Sequence, residues 1–364
     1  MAKRIQDILA PANMVGVIQG VKPGIPNPWD PAFMTNVAPT IGDDGTYVKV
    51  DAARDTARLV AYGGASLRKM PKGCSRVGVK LIHTFEHIFH NPNLIDRLTS
   101  AQGGMQEIAS QEVDRQTAEF KAGFDNLRIA AVGMALAKGV IYFDGAGNLL
   151  ESSSGAMVSV DFGIPAGNKN QLNVLGAGDI ITASWATAGT DIVGQLSALK
   201  IAALKKTGYP LTTIYYGEAI PGYLAANTSI KALLQGNVAF AQSFLGNEIP
   251  DGLCGFKWRK AGQGFYVDQN GDVREIVASD AAIFTPDVDR SWYEMLEGTY
   301  RVPTNFGSAV ADPVAAMANT TMVRGPFSYC ILESDPPAIK HLAGDTFLPV
   351  IKVPGAIFIA DVAF

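Results

Sequence analysis

The residues from Gly104 to Lys138 read GMQEIASQEVDRQTAEFKAGFDNLRIAAVGMALAK, with no proline, and Gly139 follows as a stop signal. Apolar or small residues recur in two interleaved seven-step series. One is Val113, Phe120, Leu127 and Met134; the other is Ala109, Thr117 (one step late), Phe124 and Ala131. That spacing keeps a single stripe on one side of a helix. At 1.5 Å per residue the helix is about 50 Å long, several times the average of about 11–12 residues in a globular domain. Glu107, Glu112, Asp114 and Glu119 fall in its first half and Lys138 at its end, which suits the helix dipole. Such a strut needs something to lie along it. No other stretch carries heptads, so the expected partner is a sheet of the same chain rather than a coiled coil.

Composition sharpens this picture. Across 364 residues, 48% are hydrophobic and only 18% charged, with 38 glycines and 20 prolines. So lightly charged a chain, long enough for two or three domains, predicts a surface largely covered by other subunits. The net charge of −4 is uneven: residues 1–80 hold 11 basic and 6 acidic side chains, leaving −9 for the rest. Seven Arg or Lys lie within Arg54–Lys80 against the one acid Asp55. Aromatic residues do not interleave them as a single-strand nucleic-acid groove requires, which favours docking on an acidic neighbour. Cys74, Cys254 and Cys330 are an odd number without CxxC spacing, so neither a disulfide framework nor a zinc site follows and a reducing cytoplasm is expected. No signal peptide is evident and no apolar run nears 18 residues.

Residues 1–46 hold Pro11, Pro23, Pro26, Pro28, Pro31 and Pro39, which predicts an extended arm with Trp29 and Phe33 as its anchors on another surface. Thr46 to Ile82 alternates as a long two-stranded hairpin with a basic tip, turning at Gly63-Gly64 and Pro71-Lys72-Gly73. Alone such a hairpin is marginal, so it needs a neighbouring surface. Asn91-Pro92 opens a short helix over Asn93–Leu98. Beyond the long helix come a hairpin around Asp144–Asn148, a strand over Met157–Ile164, and a helix over Ile192–Lys206 capped by Thr190 or Asp191. Then follow a buried strand, Leu211–Tyr216, a third helix over Tyr223–Gln235, and a hairpin turning at Asn270-Gly271. Residues 301–330 read as loop-rich, and two strands split by Pro354-Gly355 close the sequence.

Four constellations invite chemical readings. His83, Glu86, His87 and His90 form HTFEHIFH; were it helical, His83 and His87 would share a face as metal ligands can. The order is not HExxH and aromatics fill the gaps, which favours histidines placed structurally at the hairpin base. Leu175–Asp179, LGAGD, is half of a dinucleotide loop lacking its third glycine. Asp268–Asp272 has its glycine in the wrong place for a calcium loop. A histidine-based triad would have only His341 beyond the cluster, and neither GxSxG nor a Walker loop occurs. No catalytic, cofactor or metal site is assigned, and a structural role is favoured over an enzyme.

The order of parts resembles a tailed-phage major capsid protein of the lambda-type E group, with the α+β Hong Kong 97-type capsid fold. Arg58–Val79 resembles that family's extended loop, Gly104–Lys138 running into GVIYFD its spine helix, and Val158–Pro165 the strand after it. Thr212–Leu234 and Phe265–Thr285 resemble its axial domain; Ser334–Pro337 and LPVIKVPGAIFIADV resemble its closing strands. The resemblance implies an N-terminal arm over 1–45, an extended loop over 46–82, and a peripheral domain over 83–190 with spine helix 104–138. An axial domain over 191–300 and return strands over 301–364 complete it. It further implies self-assembly as pentamers and hexamers into an icosahedral shell around double-stranded DNA, in a virion after assembly in host cytoplasm. A portal and a decoration protein are implied partners, with no membrane, and because only a short arm precedes the hairpin, either a separate scaffolding protein or an already shortened form is implied too. Arg68, Lys69 and Lys72 at the hairpin tip and Trp29 and Phe33 in the arm are the expected inter-subunit contacts. Two alternatives stand beside this one: an encapsulin-like compartment shell, and a cytoplasmic metalloenzyme using His83–His90.

Overall fold

The computed structural model describes residues 5–21, 27–51, 74–90, 92–100, 102–144, 149–150, 152–169, 181, 183–234, 248–261, 265–267, 272–304, 320–334 and 337–363. The proline-rich start is not an extended arm. It holds helices α1 (Ile5–Ile8), α2 (Pro11–Gly20) and α3 (Ala32–Thr35) before strand β1 (Val37–Pro39). Pro11 sits at the first position of α2, where its missing N–H costs nothing. Pro11 opens a helix rather than preventing one.

Strands β2 (Asp44–Val50) and β3 (Cys74–Lys80) pair antiparallel from Asp44↔Lys80 to Val50↔Cys74, giving the base of the expected hairpin; its tip lies outside the described residues. Strand β4 (Ile82–His90) leads to α4 (Pro92–Thr99) and α5 (Gly103–Ala137), the long helix, within one residue of its expected bounds. Strands β5 (Val140–Phe143), β6 (Leu149–Leu150) and β7 (Val158–Asp161) form a small sheet.

Helix α6 (Ile192–Thr207) is capped by the Asp191 carboxylate, which accepts from the Gly194 N–H, and it buries Ile192, Leu196, Leu199 and Ala203 as its spacing requires. After β8 (Thr213–Tyr216) the single helix expected over Tyr223–Gln235 is instead two, α7 (Ile220–Ala226) and α8 (Thr228–Leu234). Asn227 divides them. Its backbone is extended, its side-chain oxygen accepts from the N–H groups of Ser229 and Ile230, and its amide donates to the Thr190 carbonyl. A capping asparagine outcompetes helix continuation there.

The remaining strands are β9 (Lys257–Lys260), β10 (Phe265–Val267), β11 (Val273–Glu275), β12 (Ala281–Thr285), β13 (Tyr293–Glu297), β14 (Thr299–Pro303), β15 (Thr320–Arg324), β16 (Phe327–Ser334), β17 (Pro337–Ile351) and β18 (Phe358–Asp361). Residues 301–330 therefore carry strands, with β14 pairing β15, where a loop-rich stretch was expected. Strand β17 is the centre of the main sheet: β16 and β4 pair along its first part, β13 along its last, and β1 adds parallel to β13. A second sheet has the order β18-β12-β8-β9.

Helix α5 lies against β17. Its first half buries a stripe, Ala109, Val113, Thr117, Phe120 and Phe124, whereas Ile129 to Leu136 are buried without a break. The stripe thus describes only the first half. The second half is enclosed because Trp29, Ile276 and the sheet close over it.

Two glycines of α5 separate helix propensity from packing. A Cβ at Gly133 would lie 2.5 Å from Ile276 Cγ2 and 2.7 Å from Trp29 Cζ2, while one at Gly123 meets nothing within 4 Å. Gly123→Ala is expected to stabilise the unassembled subunit by about 0.5–1 kcal/mol. Gly133→Ala is expected to destabilise it by about 1–3 kcal/mol despite the same propensity gain. Urea denaturation of both variants measures the contrast.

Candidate functional site

Of the five residues expected to meet neighbouring subunits, Arg68, Lys69 and Lys72 lie outside the described residues, as do Leu175–Asp179 and the Asn270-Gly271 turn. Trp29 and Phe33 are 2% and 0% exposed within the chain's own core. Trp29 Nε1 donates to the Ile129 carbonyl of α5 at 3.0 Å, and its ring sits 5.2 Å from that of Tyr215 on β8. Phe33 packs edge-on against Tyr293 and Trp292, and the Tyr293 hydroxyl donates to the Phe33 carbonyl. Both anchors hold, but on this chain's own body. With no surface left, their side chains cannot reach a neighbour, and that expectation is corrected. An aromatic beside several prolines signals anchoring without saying what is anchored to.

The HTFEHIFH run is a strand, not a helix, so the shared helical face of His83 and His87 does not exist. Four residues along a strand separate them by about 13 Å, and both are exposed. His83 Nδ1 lies 2.7 Å from Thr346 Oγ1, a cross-strand contact. The metalloenzyme reading of this cluster loses its geometric basis.

Along β17, alternate residues Ile339, His341, Ala343, Asp345 and Phe347 share one face of the pleat. That face meets α5 through two polar groups that no motif announced. The first is Arg128. Its Nε and Nη2 donate to the two Asp345 oxygens at 2.6 and 2.8 Å, and Nη1 donates to Glu297 Oε1 at 2.8 Å. The Phe347 ring lies 5.1 Å beneath the guanidinium, and Arg324 reaches Glu297 from the surface at 3.0 Å. Burial opposes the Arg128 charge, but Asp345 and then Glu297 outweigh it, so the guanidinium is held more firmly protonated than usual.

The second group is His90, Cys330 and His341, from β4, β16 and β17. Cys330 stands directly across from His341, and His90 across from Ile339, diagonal to it. Their ligating atoms lie within 4.8 Å of one another, and all three residues are buried. His341 Nε2 is 2.6 Å from Ser328 Oγ; its Nδ1 and both nitrogens of His90 have no hydrogen-bond partner. Burial pushes the His90 ring down, partly countered by Glu112, and burial with His90 pushes His341 down to about 3. Burial pushes the Cys330 thiol up to about 12. Each unsatisfied buried polar group costs about 1–3 kcal/mol, and such groups ask for an explanation. Sequence spacing could not have found this trio: Cys330 and His341 are brought opposite each other only by β16–β17 pairing.

The outward surface of α5 carries the Glu112–Arg115–Glu119 ion pairs, with Glu107 and Asp114 also exposed. The acid-rich first half faces outward as its pattern suggests. A groove of about 470 Å³ lies beside it, lined by Glu86, His87, Ile88, Glu119 and Phe120. Exposed apolar side chains include Phe85 and Phe89 on β4, Met105 and Ile108 on α5, and Met157 and Val158. Among the described residues no helix is long and apolar enough to cross a membrane.

No family model and no curated protein matches the chain. Solved structures do. A protein of an Escherichia coli CFT073 prophage, described as a capsid protein, is similar over 98% of this chain and 99% of its own, at 13% identity and a TM-score of 0.55. A phage-related protein from Bordetella bronchiseptica RB50 covers 98% of both chains at 10% identity and 0.48. The capsid of a native GTA particle covers 95% of this chain and 94% of its own at 12% and 0.46. The chain has the fold of a phage capsid protein, the Hong Kong 97-type α+β arrangement.

Removing the Arg128 side chain leaves the buried Asp345 carboxylate without its cation, while Glu297 keeps Arg324. Arg128→Ala is expected to destabilise the subunit by about 3–5 kcal/mol. Arg128→Lys, which keeps the charge but not the fork, should lose a smaller part. Denaturant midpoints of purified variants test this, and a fully stable Arg128→Ala would remove the pairing from the account.

Proposed function

We propose that the chain is a non-enzymatic shell subunit, a major capsid protein of the lambda-type E group. Many copies would associate as pentamers and hexamers and close into an icosahedral shell around double-stranded DNA. The observation that carries this is the end-to-end match of fold, 98% of this chain on 99% of a prophage protein described as a capsid protein. A likeness confined to one domain would permit other uses.

The physical character of the surface supports the reading. Exposed apolar side chains on β4, on the start of α5 and on β7 suit interfaces between copies. The basic stretch Arg54–Lys80 and a remainder carrying −9 are complementary between copies of one chain. In this reading the hairpin tip, with Arg68, Lys69 and Lys72, docks on an acidic neighbour such as the outward face of α5. The N-terminal segment over 1–45, which folds onto its own chain's body, the extended loop over 46–82, peripheral domain over 83–190, axial domain over 191–300 and return strands over 301–364 are its working parts. DNA contact would be non-specific on the inner face. A scaffolding protein, a portal and a decoration protein are the expected companions, in a virion assembled in host cytoplasm.

Negative-stain microscopy of the purified protein, alone and with the products of neighbouring genes, should show rings, sheets or closed shells. A monodisperse monomer or dimer under every assembly condition would sink the proposal. Reversing Arg68, Lys69 and Lys72 to glutamate should leave the subunit folded by circular dichroism yet abolish particles. Normal shells from that variant would rule out tip docking.

A further inference from the structure

We propose that His90, Cys330 and His341 form a binding site for one thiophilic d10 cation, Zn²⁺ or Cu⁺, clamped between the main sheet and α5. This goes beyond the shell reading and stands independently of it. One thiol and two imidazoles make a soft to borderline donor set, which selects such ions over the oxygen-seeking Mg²⁺ and Ca²⁺.

Geometry carries the inference. The three donors already lie within 4.8 Å of one another. Ligands bound at about 2.0–2.3 Å sit roughly 3.3–3.9 Å apart, so closing the triangle asks each side chain to move by under about 1 Å. Three ring nitrogens of the two histidines have no hydrogen-bond partner, and each histidine brings one nitrogen to the trio. The fourth, His341 Nε2, is held by Ser328 Oγ at 2.6 Å. When Nε2–H donates to that hydroxyl, the lone pair is left on Nδ1, the nitrogen with no hydrogen-bond partner. Orienting a metal-binding imidazole through its other nitrogen is what an outer-shell partner does.

The surroundings fit a closed site. Ala109, Val113, Leu98, Met14 and Ile339 pack around Cys330 on one side. Phe120 covers His341 edge-on at 5.2 Å, and the same ring lines the surface groove beside β4 and α5. Rotation of Phe120 would open the trio toward that groove. As the bond to sulfur forms, the Cys330 proton leaves to solvent and both imidazoles contribute lone pairs as neutral ligands. Thiolate and Cu⁺ cancel in charge at a three-coordinate site. Zn²⁺ leaves one positive charge and a fourth position open to water. The ion would join β4, β16 and β17 at the sheet's centre.

The full-length protein, stripped with a chelator, is loaded with Zn²⁺ or Cu⁺ in separate arms. One equivalent should remain through gel filtration by native mass spectrometry, with a raised unfolding midpoint. Cys330→Ala should lose that equivalent, Ser328→Ala should weaken it about 10–100-fold, and His87→Ala should not change it. X-ray absorption on the loaded wild-type protein should show one sulfur and two imidazole nitrogens, a readout that needs no variant to fold. Failure to retain either ion, retention by a folded Cys330→Ala, or a coordination shell without sulfur would overturn the site.

Discussion

Arg128 keeps its charge inside the protein, and the seating of α5 on the main sheet depends on how that charge is met. The apolar contacts along the helix are non-directional; Ala130, Ala131 and Ala135 would tolerate a slide or a small rotation. A planar guanidinium gripping both oxygens of Asp345 and one of Glu297 does not. Desolvation offsets much of what such a pair gains, so its main effect is to select one register of helix on sheet. Because Asp345 lies on β17 and Glu297 on β13, the same group fixes two strands and the helix together.

Other contacts follow from that seating. With α5 in place, the Ile129 carbonyl is positioned to accept from Trp29, and Trp29 meets Tyr215 of the second sheet. The N-terminal segment therefore becomes a buckle between the two sheets. What stays outside is the acidic first half of α5 and the apolar residues of β4 and β7, the surfaces that the proposed shell would use.

Much of the fold was legible. The absence of proline and the seven-step series placed α5 to within a residue, and four spaced apolar residues with an aspartate before them placed α6. The misses have physical reasons. Strand β17 begins at Pro337, well before the apolar run LPVIKV, because its helix-facing row reads Ile339, His341, Ala343, Asp345, Phe347. Two charged or polar residues in a core row break the hydrophobic alternation by which a strand is read. The same two positions hold both buried polar sites, so the hidden strand and the hidden chemistry are one fact. Asn227 and the helix-opening prolines show local side-chain chemistry overriding broader pattern. Trp29 and Phe33 were correctly singled out and wrongly directed.

The position of β17 also governs how the chain can reach this state. Strands β1, β4, β13 and β16 all precede it, and β4 and β16 meet the main sheet only through it. During synthesis those strands emerge with bare edges and an unfilled apolar side. Closing the sheet then joins residues more than 250 positions apart, as Ile82 and Phe347 are. Such distant pairing is slow to form and exposes aggregation-prone edges meanwhile. Folding of the main sheet is thus a late event, which keeps nascent chains from presenting finished association surfaces until β17 is in place.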